Sequence, residues 1–155
     1  MEYKAKDFGV HFWIDSEGQE IEEIRLENLE NKIKILFCFQ DWCPGCHALG
    51  FPSLKKIVDG LKSYDDIVFL AIQTVFEGFD VNTSDKLRLN QLKYDLKIPF
   101  GHDAGLDNNS QSIFMERYKT GGTPWFIIID KKNTILFADF NINSEALITF
   151  IKTGK

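Results

Sequence analysis

The sequence predicts an α/β layered domain, and three observations predict it. Two apolar runs, residues 33–39 (broken only by Lys34) and 67–72, have the length and β-branched content of strands buried on both faces. Between them, Leu54, Ile57, Val58 and Leu61 recur at helical spacing. Near the end, residues 125–129, a polar turn at 130–133 and a second apolar run at 135–140 read as an antiparallel hairpin, followed by a helix over 144–152 with Leu147, Ile148 and Ile151 on one face.

The remaining elements follow in order. Residues 10–14 read as a short strand and 15–18 as a turn, whereas 19–32 mix sheet and loop signals without settling on either. A helix should begin at the Cys43-Pro44-Gly45-Cys46 segment, with Cys43 near its cap and Pro44 at the first helical position, where a missing N–H costs nothing. Pro52 should kink that helix. The segment from Gln73 to Thr83 reads as a loop, of which residues 73–79 are either a substrate lid or simple packing. Ser84 is placed to cap a helix with Leu89, Leu92 and Leu96 on its apolar side. Residues 98–103 read as a short extended connection and 110–118 as another short helix.

A length of 155 residues fits one domain, 1–155, with a full core. Hydrophobic residues at 44% and charged residues at 26% are ordinary for a globular protein, and 14 Phe point to a bulky aromatic core. The net charge of −5 supplies no basic stripe for phosphates, so nucleic acid is not the expected partner. No apolar stretch reaches the ~20 residues that span a bilayer. Residues 1–7 lack a signal core, so a cytoplasmic address is expected, or a periplasmic one if a native leader was removed. Three cysteines make a dithiol plus one, not a disulfide framework.

The chemistry concentrates in Trp42-Cys43-Pro44-Gly45-Cys46, at the junction of a buried strand and a helix. Two thiols two residues apart can close and release a disulfide, and a helix N-terminus stabilises the thiolate that attacks disulfides. A zinc half-site is the first alternative, but structural zinc needs a second Cys/His pair at short spacing, which is missing. Cys43 to His47 also matches a haem attachment pattern, which requires export and an axial ligand. Cys38, in mid-strand, reads as an inert core thiol. His102 beside Asp103 reads as a hydrogen-bonding loop histidine rather than a metal ligand. Gly121 and Gly122 most simply serve backbone geometry.

Together with Thr123-Pro124 ahead of the strand at 125–129, the dithiol resembles the thioredoxin-like superfamily. That resemblance implies a thioredoxin-like fold, a central mixed β-sheet flanked by helices, and a cis Thr123–Pro124 bond facing the thiols. Pro124 lies 78 residues after Cys46, far beyond the plain thioredoxin interval. The interval is similar to that of TlpA/ResA-like redoxins and peroxiredoxins, which implies an inserted strand and helix between the dithiol helix and the cis-proline strand. Segments 40–47, 50–52 and 73–79 resemble a bacterial redoxin branch, and the likeness spans roughly residues 8–152.

The resemblance implies a thiol-disulfide oxidoreductase in which Cys43 attacks a partner disulfide and Cys46 resolves the mixed disulfide. Trp42, Pro44, Gly45, Thr123, Pro124 and Trp125 would meet the substrate, Trp125 being equally readable as core. The expected partners are a protein or low-molecular-weight disulfide and a separate thiol reductant, with no cofactor and no metal, and the chain is expected to be a monomer. Many relatives carry an acidic residue six positions before the first motif cysteine; here it is Phe37, which leaves Asp41 and His47 as the nearest groups for proton transfer. Two other functions compete. A thiol peroxidase would want a hydroxyl three residues before Cys43, where Gln40 stands. A redox-sensing or metal-handling partner protein would bind copper or zinc through the two thiols.

Overall fold

The computed structural model describes residues 3–154; Met1, Glu2 and Lys155, part of the expected 1–155 domain and of the N-terminal stretch, lie outside the described residues. Its strands are β1 (Phe12–Ile14), β2 (Glu20–Ile21), β3 (Ile33–Phe39), β4 (Ile67–Thr74), β5 (Phe100–Asp103), β6 (Trp125–Ile129) and β7 (Ile135–Asp139). The helices are α1 (Phe51–Leu61), α2 (Lys86–Lys93), α3 (Ile113–Tyr118) and α4 (Ser144–Gly154). All seven strands join one sheet in the order β2-β1-β5-β4-β3-β6-β7. β3, β4 and β5 run parallel to one another, while β6 pairs antiparallel with β3 and β7 antiparallel with β6. The sheet is therefore mixed, as expected.

The alternation along the strands sorts the core into two layers. Ile35, Phe37 and Phe39 of β3 and Phe126 and Ile128 of β6 face one cluster, shared with Phe51, Leu54, Ile57 and Leu61 of α1 and Leu147 and Ile151 of α4. Leu36 and Cys38 with Ile127 and Ile129 face the other, shared with Phe8, Trp13 and Phe114 of α3. Continuous apolar runs were needed on β3 and β6 because both faces are covered. Between the dithiol helix and β6 lie β4, α2, β5 and α3, which fill the long Cys46–Pro124 interval.

Several local expectations need correction. Residues 100–103 are a sheet strand, not a connection: β5 lies between β4 and β1. The stretch 19–32, which mixes sheet and loop signals in the sequence, contains β2 and a single turn of tight helix at Leu26–Leu29. Pro52 does not interrupt one uniform helix. A wide π turn, Cys46–Gly50, comes first, with the Phe51 N–H bonded to the Cys46 carbonyl, and Pro52 falls in the first turn of α1. The wide turn takes up the backbone disruption that a mid-helix proline otherwise causes. The apolar side expected for α2 is wrong: Leu89 and Leu92 are exposed, and Leu87, Asn90 and Gln91 are turned inward. Gln91 is retained there by hydrogen bonds from its amide to the Asp15 and Ile98 carbonyls, at 2.8 and 2.9 Å.

Candidate active site at the Cys43–Cys46 disulfide

Local helix chemistry fixes the two sulfurs. The backbone is helical from Pro44 onward. The Cys43 carbonyl accepts from the Cys46 and His47 N–H groups at 3.0 and 3.3 Å, as a helix cap residue does. The Cys43 Sγ takes the role usually filled by a capping oxygen, accepting the Cys46 N–H at 3.2 Å. A thiolate at Cys43 would sit where the Cys46 N–H and the positive helix end favour negative charge. Cys43 and Cys46 are joined as a disulfide with Cα atoms 5.3 Å apart, inside the normal range for such a bond. Cys43 is only 9% exposed, and Cys46 is wholly buried, so Cys43 is the sulfur within a partner's reach.

The segment before β6 closes over this pair. The Thr123–Pro124 peptide is cis. The Thr123 hydroxyl donates to Cys43 Sγ at 3.5 Å. A Cβ added on Gly45 would make van der Waals contact with Pro124 Cδ at 3.4 Å, so the proline sits over the motif glycine. Gly50 is tighter: a Cβ there would meet Phe37 Cζ at 2.8 Å and Pro124 Cβ at 3.0 Å. Trp42 stands beside Cys43 with 66% of its surface exposed. Trp125 does not join the thiols. Its side chain packs with the cluster on the opposite face of the sheet, edge-on to Phe140 at 4.7 Å.

Behind Cys46 the environment is aromatic. Phe37 is fully buried, with its ring centroid 4.9 Å from those of both Phe51 and Phe126, in the cluster that contains Cys46. The position where relatives carry an acid is thus filled by a phenyl ring. Among the described residues, the hydrogen bonds to Cys43 Sγ come from the Cys46 N–H and the Thr123 hydroxyl. His47 instead bonds to the Asp41 carbonyl through Nε2, at 2.6 Å, and to the Tyr94 hydroxyl through Nδ1, at 2.5 Å. The Asp41 carboxylate accepts from Asn90 Nδ2 at 2.9 Å. Both groups proposed for proton transfer are therefore bonded elsewhere than to a sulfur.

The sequence pass missed a set of buried amides that surrounds the strand-to-helix junction. Gln40, 1% exposed, accepts the Phe76 and Glu77 N–H groups at 3.0 and 3.3 Å. Gln73 accepts the Asp41 N–H at 2.8 Å, and Asn82 accepts the Trp42 N–H at 2.8 Å. These bonds tie the 73–83 segment, whose first two residues belong to β4 rather than to a loop, to the dithiol junction. One signal was available: Gln40 and Gln73 each directly follow a buried apolar run, where a polar side chain needs a built partner.

Two other titratable groups are held out of the chemistry. Cys38 is buried, and burial pushes its thiol well above the ordinary range. His102 lies on β5 rather than in a loop, and burial pushes its imidazole below the ordinary range, against the opposing pull of Asp103 and Asp85. Among the described residues, no cluster of three His, Cys, Asp or Glu side chains gathers as a metal site. No described helix is long and apolar enough to cross a membrane.

No family model matches the chain, and no curated protein matches it. Solved structures do. A thioredoxin-like superfamily protein aligns with 27% identity and a TM-score of 0.81 over 97% of this chain and 94% of its own. A thiol-disulfide isomerase from Corynebacterium glutamicum aligns with 25% identity and a TM-score of 0.79 over the same shares. A secreted disulfide oxidoreductase of Mycobacterium tuberculosis aligns at 19% identity and a TM-score of 0.64 over 91% of this chain and 93% of its own.

Proposed function

We infer that this chain, a redoxin of the thioredoxin-like superfamily by its fold, works as a thiol-disulfide oxidoreductase through the Cys43–Cys46 pair. One observation carries the reading: Cys43 Sγ is at once the cap of the dithiol helix and the acceptor of the Thr123 hydroxyl beside the cis proline, with its partner sulfur buried one turn inside. That arrangement supports one attacking thiolate and one resolving thiol.

In the reducing direction, the Cys43 thiolate attacks one sulfur of a partner disulfide. The partner S–S bond breaks, a mixed disulfide forms, and the other partner sulfur leaves as a thiolate that takes up a proton. Cys46 loses its proton and attacks Cys43 Sγ, which releases the second partner thiol and closes the Cys43–Cys46 disulfide. Two electrons pass to the partner, and a separate thiol reductant returns them. Trp42, Pro44, Gly45, Thr123 and Pro124 form the surface on which the partner chain docks. Three residues before Cys43, where a thiol peroxidase would carry a hydroxyl, stands the buried Gln40, whose amide oxygen is taken up by backbone N–H groups.

In a cytoplasm, a thiol pool would favour net reduction of protein or low-molecular-weight disulfides by a monomer of this chain; in an extracytoplasmic compartment the donor would have to be a dedicated thiol protein. Cys43→Ser should lower dithiothreitol-driven insulin reduction to the uncatalysed background; full activity in that variant overturns the mechanism. Cys46→Ser should trap partners as mixed disulfides at Cys43, and the identity of those partners reports the compartment.

A further inference from the structure

The peptide that precedes the thiols is held from every side by side chains distant in sequence. The Asp41 N–H donates to Gln73 Oε1 at 2.8 Å. The Asp41 carbonyl accepts from His47 Nε2 at 2.6 Å, and its carboxylate from Asn90 Nδ2 at 2.9 Å. The Trp42 N–H donates to Asn82 Oδ1 at 2.8 Å. Gln73, Asn82 and Asn90 are each no more than 3% exposed. Gln73 is itself fixed, because its Nε2 donates to the Thr83 carbonyl at 3.0 Å and to His102 Nδ1 at 3.1 Å. His47 is fixed by Tyr94, whose ring stacks on Phe51 at 4.4 Å.

Buried polar structure is costly unless paired, and among these side-chain atoms Asn90 Oδ1 is the one left without a partner, so a fold retains such a set where a position must be exact. What it positions is a 66% exposed indole. None of these side chains bonds to sulfur, so the network does not act on the thiols' ionisation through hydrogen bonds. The carbonyl of Asp41 can only accept, so His47 Nε2 carries a hydrogen; Nδ1 faces a hydroxyl that can donate or accept, and the bond to Asp41 survives in either charge state of the ring.

We propose that Gln73, Asn82, Asn90 and His47 are positioning residues that hold the Asp41–Trp42 peptide and present Trp42 as a fixed docking anchor for polypeptide disulfides. The proposal rests on the oxidoreductase reading and deepens it: the favoured substrate is a protein chain long enough to lie against Trp42, not a small disulfide.

The test uses the full chain with insulin as protein disulfide, hydroxyethyl disulfide as small disulfide, and dithiothreitol as donor. His47→Ala and Asn82→Ala should each raise the KM for insulin roughly threefold to tenfold, the effect of losing about one hydrogen bond, with kcat held. Turnover of hydroxyethyl disulfide and the potential of the Cys43–Cys46 couple against glutathione should not move. His47→Gln, whose amide N–H can still reach the Asp41 carbonyl, should restore most of the insulin KM. Trp42→Ala should raise the KM as much, and adding His47→Ala to it should do little more. An unchanged KM for insulin, equal losses on both substrates, a shifted potential, or full additivity with Trp42→Ala overturns the cradle's role. Wild-type protein that fails to accelerate insulin reduction overturns the oxidoreductase reading instead, and the docking role with it.

Discussion

The Thr123 hydroxyl donates to the Cys43 sulfur across 80 residues of chain, joining the loop before β6 to the cap of the dithiol helix. In the reduced protein this hydroxyl and the Cys46 N–H are the donors positioned to stabilise a Cys43 thiolate. Thr123→Val keeps the β-branched shape and removes the donor. It should lower the rate at which iodoacetamide alkylates reduced Cys43 at neutral pH by roughly threefold to tenfold, as expected for losing one hydrogen bond of ordinary strength. Mass-resolved alkylation kinetics measure it, and an unchanged rate means that the helix terminus alone sets the thiolate fraction.

Gly50 is constrained by packing rather than by its backbone angles, which are ordinary helical ones at φ −62° and ψ −61°. A methyl group there would press on the Phe37 ring at 2.8 Å and on Pro124 at 3.0 Å. The Phe37 ring is hemmed in by Phe51 and Phe126 and cannot step aside. Gly50→Ala should therefore destabilise by about 1–3 kcal/mol, typical of overpacking, although alanine is the better helix former. Urea unfolding should show the lower midpoint with an unchanged slope; a midpoint at or above wild type would mean that Phe37 and Pro124 yield easily.

The parts of this molecule that were legible in the sequence are those where burial is apolar and continuous. β3 and β6 show plainly because both faces of each strand are covered. The dithiol and Thr123-Pro124 were legible because their chemistry is carried by rare residue types at short spacing. α2 misled because its inward face carries Asn90 and Gln91, held by hydrogen bonds that no periodicity reports. β5 was hidden by Gly101, His102 and Asp103, whose polarity is satisfied by partners elsewhere in the chain. The amides around Asp41 and Trp42 come from three separate segments and are residue types that usually sit at the surface. Only the folded chain brings them together.

Cys38 should be silent in the native state. It sits in mid-β3 in the core cluster opposite the dithiol face, fully buried, with its thiol pushed up by desolvation and by the Asp103 carboxylate. Oxidised native protein should take up no iodoacetamide, and unfolding in denaturant without reductant should expose a single labelled site, Cys38. Native labelling at Cys38 would reveal opening of the core on the labelling timescale.

His102 ties stability to pH through a tautomer that the hydrogen bonds dictate. Gln73 Oε1 accepts the Asp41 N–H, and its Nε2 donates to the Thr83 carbonyl, so the amide orientation is settled. The same Nε2 faces His102 Nδ1, which must therefore accept and carry no hydrogen. Protonating the ring would set two donors against each other. Burial also holds the folded imidazole below its ordinary value of 6.5, with Asp103 on its own strand and Asp85 ahead of α2 pulling the other way. The unfolded chain thus binds this proton more readily than the folded one. Stability is full above the unfolded value, and it falls as pH drops from there toward the lower folded value, by at most about 1.4 kcal/mol per pH unit. His102→Asn offers Gln73 an amide oxygen as acceptor and cannot titrate. Urea unfolding between about pH 7 and pH 5 should show a shallower decline for that variant than for wild type. Parallel curves would assign the acid loss of stability to other groups.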